Sequence, residues 1–208
     1  MSTTMIPEQR VSKVFELLQT GSRKEYIGGK ITRLDHALQA AHLAKNEGAD
    51  EETILAALLL DIGQLSPPPE QPSNTRDKYK FEYHLTDVTG NMSDINYDRV
   101  GANYLRQLGF SNKTCELIES NVLAKHYLGT FDPTYGDGAV IVFITLKGDP
   151  PSPAEIQEFE NDPLFQQKVQ LAKWDAAATK ATEVKPPALD TYRDMAIRNL
   201  LLSMKVLY

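Results

Sequence analysis

Helical spacing in this 208-residue chain directs a small set of polar side chains at apolar surroundings, and these are the residues that could do chemistry. On a helical wheel of residues 33–47, Leu34, Ala37, Leu38, Ala40, Ala41, Leu43 and Ala44 share one arc, and His36 falls inside it. His42 falls with Asp35, Gln39 and Asn46 on the wet side. Residues 54–62 are apolar all round except for Asp61, and Asp175 shares its arc with Leu171, Ala172, Ala176 and Ala178. Asn121 and Lys125 stand one turn apart on a stripe with Leu117, Ile118 and Val122. A single inward histidine is ordinarily a core residue satisfied by a hydrogen bond. Polar groups from four helices argue for convergence, because buried polar groups persist only when they satisfy one another. Such a cluster can hold a core in register. It can also move protons: an imidazole between two carboxylates is fixed in one tautomer with a raised pKa, and a lysine or amide beside it can stabilise negative charge on a carbonyl oxygen.

The elements that must position these groups are helices. Apolar residues recur at helical spacing through residues 11–18, 34–44, 54–62, 100–108, 117–123, 164–178 and 195–206, which predicts an all-α fold. Thr32 with Asp35 reads as a capping box, Asp50 and Ser111 as caps, and Gly21, Gly48, Gly63 and Gly109 as helix ends. Residues 66–91, with Pro67, Pro68, Pro69 and Pro72, and residues 128–153 break the pattern and read as long covering loops. The second holds the run Ala139-Val140-Ile141-Val142-Phe143-Ile144, a strand or a short buried helix. A hydrophobic fraction of 41% supports one core, hence a single domain over residues 1–208 that ends in a packing helix near residues 190–206. The net charge of -6 has no basic cluster for nucleic acid and no arginine-rich stripe for a membrane. One cysteine, Cys115, excludes an intrachain disulfide and reads as a packing residue. Residues 1–10 lack the features of a signal peptide, so a cytoplasmic protein is expected.

The order of His36, Leu60-Asp61, Tyr97-Asp98-Arg99-Val100-Gly101-Ala102, Asn121-Val122-Leu123-Ala124-Lys125 and Lys173-Trp174-Asp175-Ala176-Ala177 resembles HD-domain oxygenases of the phosphonate-cleaving type, relatives of myo-inositol oxygenase. The likeness spans roughly residues 10–185 and includes Glu25-Tyr26-Ile27-Gly28, Leu108-Gly109-Phe110 and Asp162-Pro163-Leu164-Phe165. It implies an HD-domain-like helical bundle in which His and Asp side chains hold two irons that activate dioxygen against a C–H bond of a small polar substrate. It places His36, Asp61 and Asp175 at ligand positions. It also places Leu60, Tyr97 and Asn121 where the family has histidines, and Gln64 where a histidine follows the HD pair. Lys125 matches a lysine near the substrate's anionic group, and Val140 to Ile144 replace small hydroxyl residues, which predicts a more apolar pocket.

These departures lead to the expectation of a metal-independent, cofactor-free enzyme. His36, Asp61, Lys125 and Asp175 would be its catalytic acid-base groups, and Tyr26, Leu60, Tyr97, Asn121, Val140 and Phe143 its substrate contacts. The expected reaction is isomerisation, cyclisation or elimination of a small apolar carbonyl-bearing metabolite in natural-product biosynthesis, with a small hydrophobic substrate as the partner. Two other readings stay open: a mononuclear metal-dependent oxygenase or hydrolase using His36, Asp61 and Asp175, and a noncatalytic small-molecule binding protein.

Overall fold

A computed structural model describes residues 5–21, 31–66, 96–135, 151–179 and 185–205. Tyr26, Val140 and Phe143, and the whole run 139–144, lie outside the described residues. Among the described residues there are nine α-helices and no strand: α1 (Pro7–Gly21), α2 (Arg33–Asn46), α3 (Glu51–Leu59), α4 (Tyr97–Gln107), α5 (Asn112–Glu119), α6 (Asn121–Phe131), α7 (Pro153–Glu160), α8 (Phe165–Ala177) and α9 (Arg193–Lys205). Short 3-10 turns at Leu60–Gln64 and Leu189–Tyr192 lead out of α3 and into α9. No described helix is long and apolar enough to cross a membrane.

The helices start where side chains can satisfy their first backbone donors. Thr32 and Asp35 form the reciprocal capping box of α2, while Asp50 and Ser111 accept from the amides of Thr53 and Thr114. Ser152 and Glu155 form a second capping box, with Pro153 in the first turn, and open α7 inside a stretch expected to be loop. Two predicted helices differ in detail. The α-helical part of 54–62 stops at Leu59 and tightens into the 3-10 turn that carries Asp61, and 117–123 is two helices that meet at Ser120.

Helix α3 is the centre of the core: Leu55, Ala56, Leu58 and Leu59 are fully buried, and α2, α5, α8 and α9 pack around it. Ala37, Ala40, Ala41 and Ala44 give α2 a smooth face that lets α3 come close. A second cluster ties α6, α7 and α8 through Ala124, Leu128, Phe159 and Ala172, with Tyr127 and Phe159 set edge-to-face on Phe165 at 5.3 and 5.2 Å. Helices α1 and α8 and the first 3-10 turn also pack on α2, and more of α2 is buried than its apolar arc. Gln39, expected on the wet side, is therefore buried, and His42 is half-buried with its Nε2 3.0 Å from Asn46 Nδ2. Cys115 is buried, which pushes its thiol up to about 12 and leaves it a packing residue.

Gly48 and Gly109 end α2 and α4 with φ of 80° and 86°, a conformation that favours glycine. Gly63 has a different role from the helix end expected of it. It lies in the 3-10 turn against the backbone of Tyr97 and Gly101 in α4, where no side chain fits.

Asp50 joins a cap to a tertiary contact, since its Oδ2 also accepts from Lys113 Nζ at 2.7 Å. Burial works against its charge, yet Lys113 and Thr53 hold the carboxyl below its usual range. A carboxyl depressed by folding stabilises above its unfolded value and loses that contribution as the pH falls through its folded one. Asp50→Ala should cost about 1 kcal/mol at neutral pH. Urea melts should show the difference from wild type closing as the pH drops below 3.8.

Candidate active site

His36 enters the core one turn after the Thr32 cap, 1% exposed. The bend from α3 into its 3-10 turn brings Asp61 to one side of the ring, with Oδ2 3.2 Å from Nδ1. Helix α8 brings Asp175 to the other side, with Oδ1 3.1 Å from Nε2 and its own backbone carbonyl also at 3.1 Å. Lys125 and Asn121 from α6 converge on the far oxygen of Asp175: Nζ lies 2.5 Å from Oδ2, and Asn121 Nδ2 donates to it at 3.3 Å. Toward solvent, Asp61 Oδ1 accepts from Gln64 Nε2 at 2.7 Å, and Gln64 Oε1 accepts from Arg33. The network thus runs Arg33, Gln64, Asp61, His36, Asp175, Lys125.

Burial disfavours the charges of His36, Asp175 and Lys125, and in each case the attraction of neighbouring groups outweighs it. Burial alone would lower His36, but hydrogen bonds and attraction from Asp175 and Asp61 push its ring up to about 10. Asp175 is held well below the usual carboxylate range by Lys125 and His36 despite its burial. Lys125 is held above its ordinary value, against burial, by Asp175 and Asp98. Asp61 Oδ2, which faces His36 Nδ1 at 3.2 Å, and Asn121 Oδ1 are among the buried oxygens without a conventional hydrogen bond.

The structure therefore brings together His36, Asp61, Asn121, Lys125 and Asp175. Leu60 is buried next to Asp61, where the resemblance implied a donor, and Tyr97 is half-buried at the start of α4 with its carbonyl against Gly63. Two residues were missed. Asp98 acts on Lys125, and its spacing to the buried Gly101, Ala102 and Leu105 already put it on the inner face of α4. Tyr135 donates from its hydroxyl to the Ala172 carbonyl at 3.2 Å and also acts on Lys125; in a segment expected to be loop, no periodicity marks it.

One imidazole and two carboxylates are the right kinds of donor for one divalent ion, and Asp61 Oδ2 is buried beside the His36 ring without a conventional hydrogen bond. Among the described residues no group of three such side chains already stands in metal-holding geometry. The two carboxylates face opposite nitrogens of the same ring, and an ion can take only one of them, with the other nitrogen then donating to the remaining carboxylate. The donor types thus suit one divalent ion, but standing on opposite sides of the ring they do not form a site for it as they are placed.

No protein-family model matches the chain. It is 35% identical over 195 residues, 92% of its length and 89% of the relative's, to a protein of Gimesia maris named hydroxymethylphosphonate dioxygenase. It is 30% identical over 166 residues, 78% of its length and 76% of the relative's, to a Leisingera caerulea protein named [1-hydroxy-2-(trimethylamino)ethyl]phosphonate dioxygenase (glycine-betaine-forming). An uncharacterized protein of Acanthamoeba polyphaga mimivirus matches at 31% over 196 residues, 92% of this chain and 82% of the relative. These findings overturn the expectation of a metal-independent isomerase, cyclase or lyase on a degenerate metal site, because the named relatives are dioxygenases. That expectation counted lost histidines at single positions and gave too little weight to the donors that remain together. With this identity across nearly its whole length, the chain belongs to the phosphonate dioxygenase family and is an enzyme.

Proposed function

We propose that this enzyme is a metal-dependent oxygenase that uses His36, Asp61 and Asp175, one carboxylate joining the imidazole on a divalent ion and the other accepting from the ring, and that acts on a small molecule bearing an anionic group, such as a phosphonate. The observation that carries it is the His36 ring, flanked at 3.1 and 3.2 Å by carboxylates from two other elements. A bound iron would supply the activation of dioxygen that the substrate's C–H bond requires. With an ion bound, His36 would be the neutral ligand, and Asp61 or Asp175 would accept a hydrogen bond from the ring nitrogen left over. Gln64, held by Arg33, fixes Asp61 by its Oδ1 and leaves Oδ2 facing the ring. The family resemblance puts Lys125 near the substrate's anionic group, and the relatives' names support a phosphonate there.

Anaerobic reconstitution with ferrous iron tests this. Wild type should retain about one ion per chain after desalting and His36→Ala less than about a tenth of one, as expected when the only imidazole of a small donor set is removed. Oxygen uptake by the loaded enzyme should depend on a member of a small-phosphonate panel that includes hydroxymethylphosphonate. Equal metal content in the two proteins, or no uptake with any member, would overturn the proposal.

A further inference from the structure

Asp61 and Asp175 face opposite nitrogens of His36, yet they are held in different ways. Asp175 is tied through its Oδ2 to Lys125 at 2.5 Å and to Asn121 at 3.3 Å, and its side chain is 4% exposed. The Asp61 side chain is 14% exposed, and its Oδ2 meets the ring at 3.2 Å without a conventional hydrogen bond. Among the described residues its one side-chain hydrogen bond comes from Gln64 Nε2, at 2.7 Å on Oδ1. Nothing on the ring side fixes the direction of this carboxylate. We propose that Gln64 and Arg33 are a positioning pair that aims the Asp61 carboxylate at His36 Nδ1 by holding it from the solvent side.

Local geometry makes the pair. Asp61 and Gln64 are three residues apart in a 3-10 turn, where side chains at that spacing eclipse, so the amide reaches the carboxylate directly. Arg33 and His36 are three apart on α2, the spacing that puts two side chains on one face. The two pairs therefore meet across the two elements: His36 faces Asp61, and Arg33 donates to Gln64 Oε1. An amide can turn either end to a carboxylate, and only its nitrogen end attracts. Arg33 has donors and no acceptor, so it takes the oxygen of Gln64 and leaves Nε2 for Asp61. A cation in the first turn of a helix runs against the helix dipole, so the place of Arg33 is not explained by the stability of α2. What the pair contributes to turnover rests on the reading of His36 and Asp61 given above; the direction it gives Asp61 does not.

The test uses the full-length, metal-free protein with 15N-labelled histidines at neutral pH. Against burial, Asp175 and Asp61 push the His36 ring up to about 10, so each ring nitrogen carries a proton whose exchange with water is read separately by nuclear magnetic resonance. Gln64→Glu keeps the shape of the side chain and its contact with Arg33 but has no donor for Asp61. Its Nδ1 proton should exchange at least about tenfold faster than in wild type, as expected when the hydrogen bond that holds a charged group is lost, while the Nε2 proton beside Asp175 stays within about twofold. Arg33→Met leaves Gln64 its donor but not its anchor and should give about threefold at Nδ1. Arg33→Lys supplies a donor to the amide oxygen again and should return toward wild type. Unchanged Nδ1 exchange in Gln64→Glu overturns the proposal, because Asp61 would then hold its direction unaided. Equal acceleration at both nitrogens also overturns it, because the substitution would then only loosen the fold. No metal or substrate is added, so this test and the iron reconstitution above can each fail without the other.

Discussion

Asp175→Ala should destabilise the protein by about 3–5 kcal/mol and abolish ion uptake, the range expected when one partner of a buried ion pair is removed. One side chain serves three others: Lys125 Nζ and Asn121 Nδ2 lose its Oδ2, and His36 Nε2 loses its Oδ1 while keeping the Asp175 backbone carbonyl. Two buried cations would remain, balanced less well by Asp61 and Asp98, and Asn121 would be left with both ends of its amide unpaired. Asp175→Asn keeps the shape and one acceptor oxygen but not the charge, so it should fall between wild type and the alanine variant. An exposed carboxylate is the contrast: Asp190, paired with Arg193 at 2.6 Å and 77% exposed, should cost no more than about 0.5 kcal/mol on truncation. Urea denaturation of the three variants with Mn2+ titration measures both effects. An Asp175→Ala protein within 1 kcal/mol of wild type, on the scale of an ordinary surface change, would mean that the network does not converge on this residue.

The residues of this site were legible because a polar group in phase with an apolar arc is uncommon, and His36, Asp61, Asn121, Lys125 and Asp175 each stand in that position. The caps at Thr32, Asp50 and Ser111 were legible for a similar reason, since each is a local contact between residues three apart. What failed to show were the consequences of neighbours. Nothing in the periodicity of residues 33–47 says that neighbouring elements will cover Gln39, because a wheel gives an angle and not what packs at that angle. The break at Ser120 leaves the apolar stripe almost continuous, so two helices read as one. The box Ser152-Pro153-Ala154-Glu155 was a readable start signal, hidden by the prolines before it. Asp98 sat in phase with Gly101 and Ala102, yet an acid in a first helical turn has an ordinary explanation in the helix dipole. The reaction was misjudged for a different reason. Leu60, Tyr97 and Asn121 each argue against a full ligand set, but similarity over 92% of the chain to a named dioxygenase bears on the enzyme as a whole.

The close approach at Gly63 carries the other large expected effect. A Cβ added there would fall inside the van der Waals envelope of the Tyr97 carbonyl and within 2.7 Å of the Gly101 amide nitrogen, closer than the 3.0 Å that real Cβ atoms essentially never cross. Both neighbours are helix backbone, so no side chain can turn aside, and the only relief is to move the 3-10 turn away from α4. That turn carries Asp61 and Gln64, while α4 carries Asp98, so separating them pulls one carboxylate from His36 and another from Lys125. Gly63→Ala should therefore cost about 3 kcal/mol or more, at the upper end for overpacking, and weaken ion binding in whatever fraction still folds. Gly101→Ala meets Gly63 N at 2.9 Å and the Ile62 side chain at 3.0 Å, part of which can yield, so its cost should be smaller, about 1–3 kcal/mol. Gly48→Ala separates sterics from backbone conformation: nothing lies within 4 Å of its Cβ, but φ is 80°, so about 1 kcal/mol of strain is all it should show. Urea midpoints for the three variants should fall in that order. A Gly63→Ala protein as stable as Gly48→Ala would show that the 3-10 turn does not rest on α4, and the position of Asp61 beside His36 would lose its structural cause.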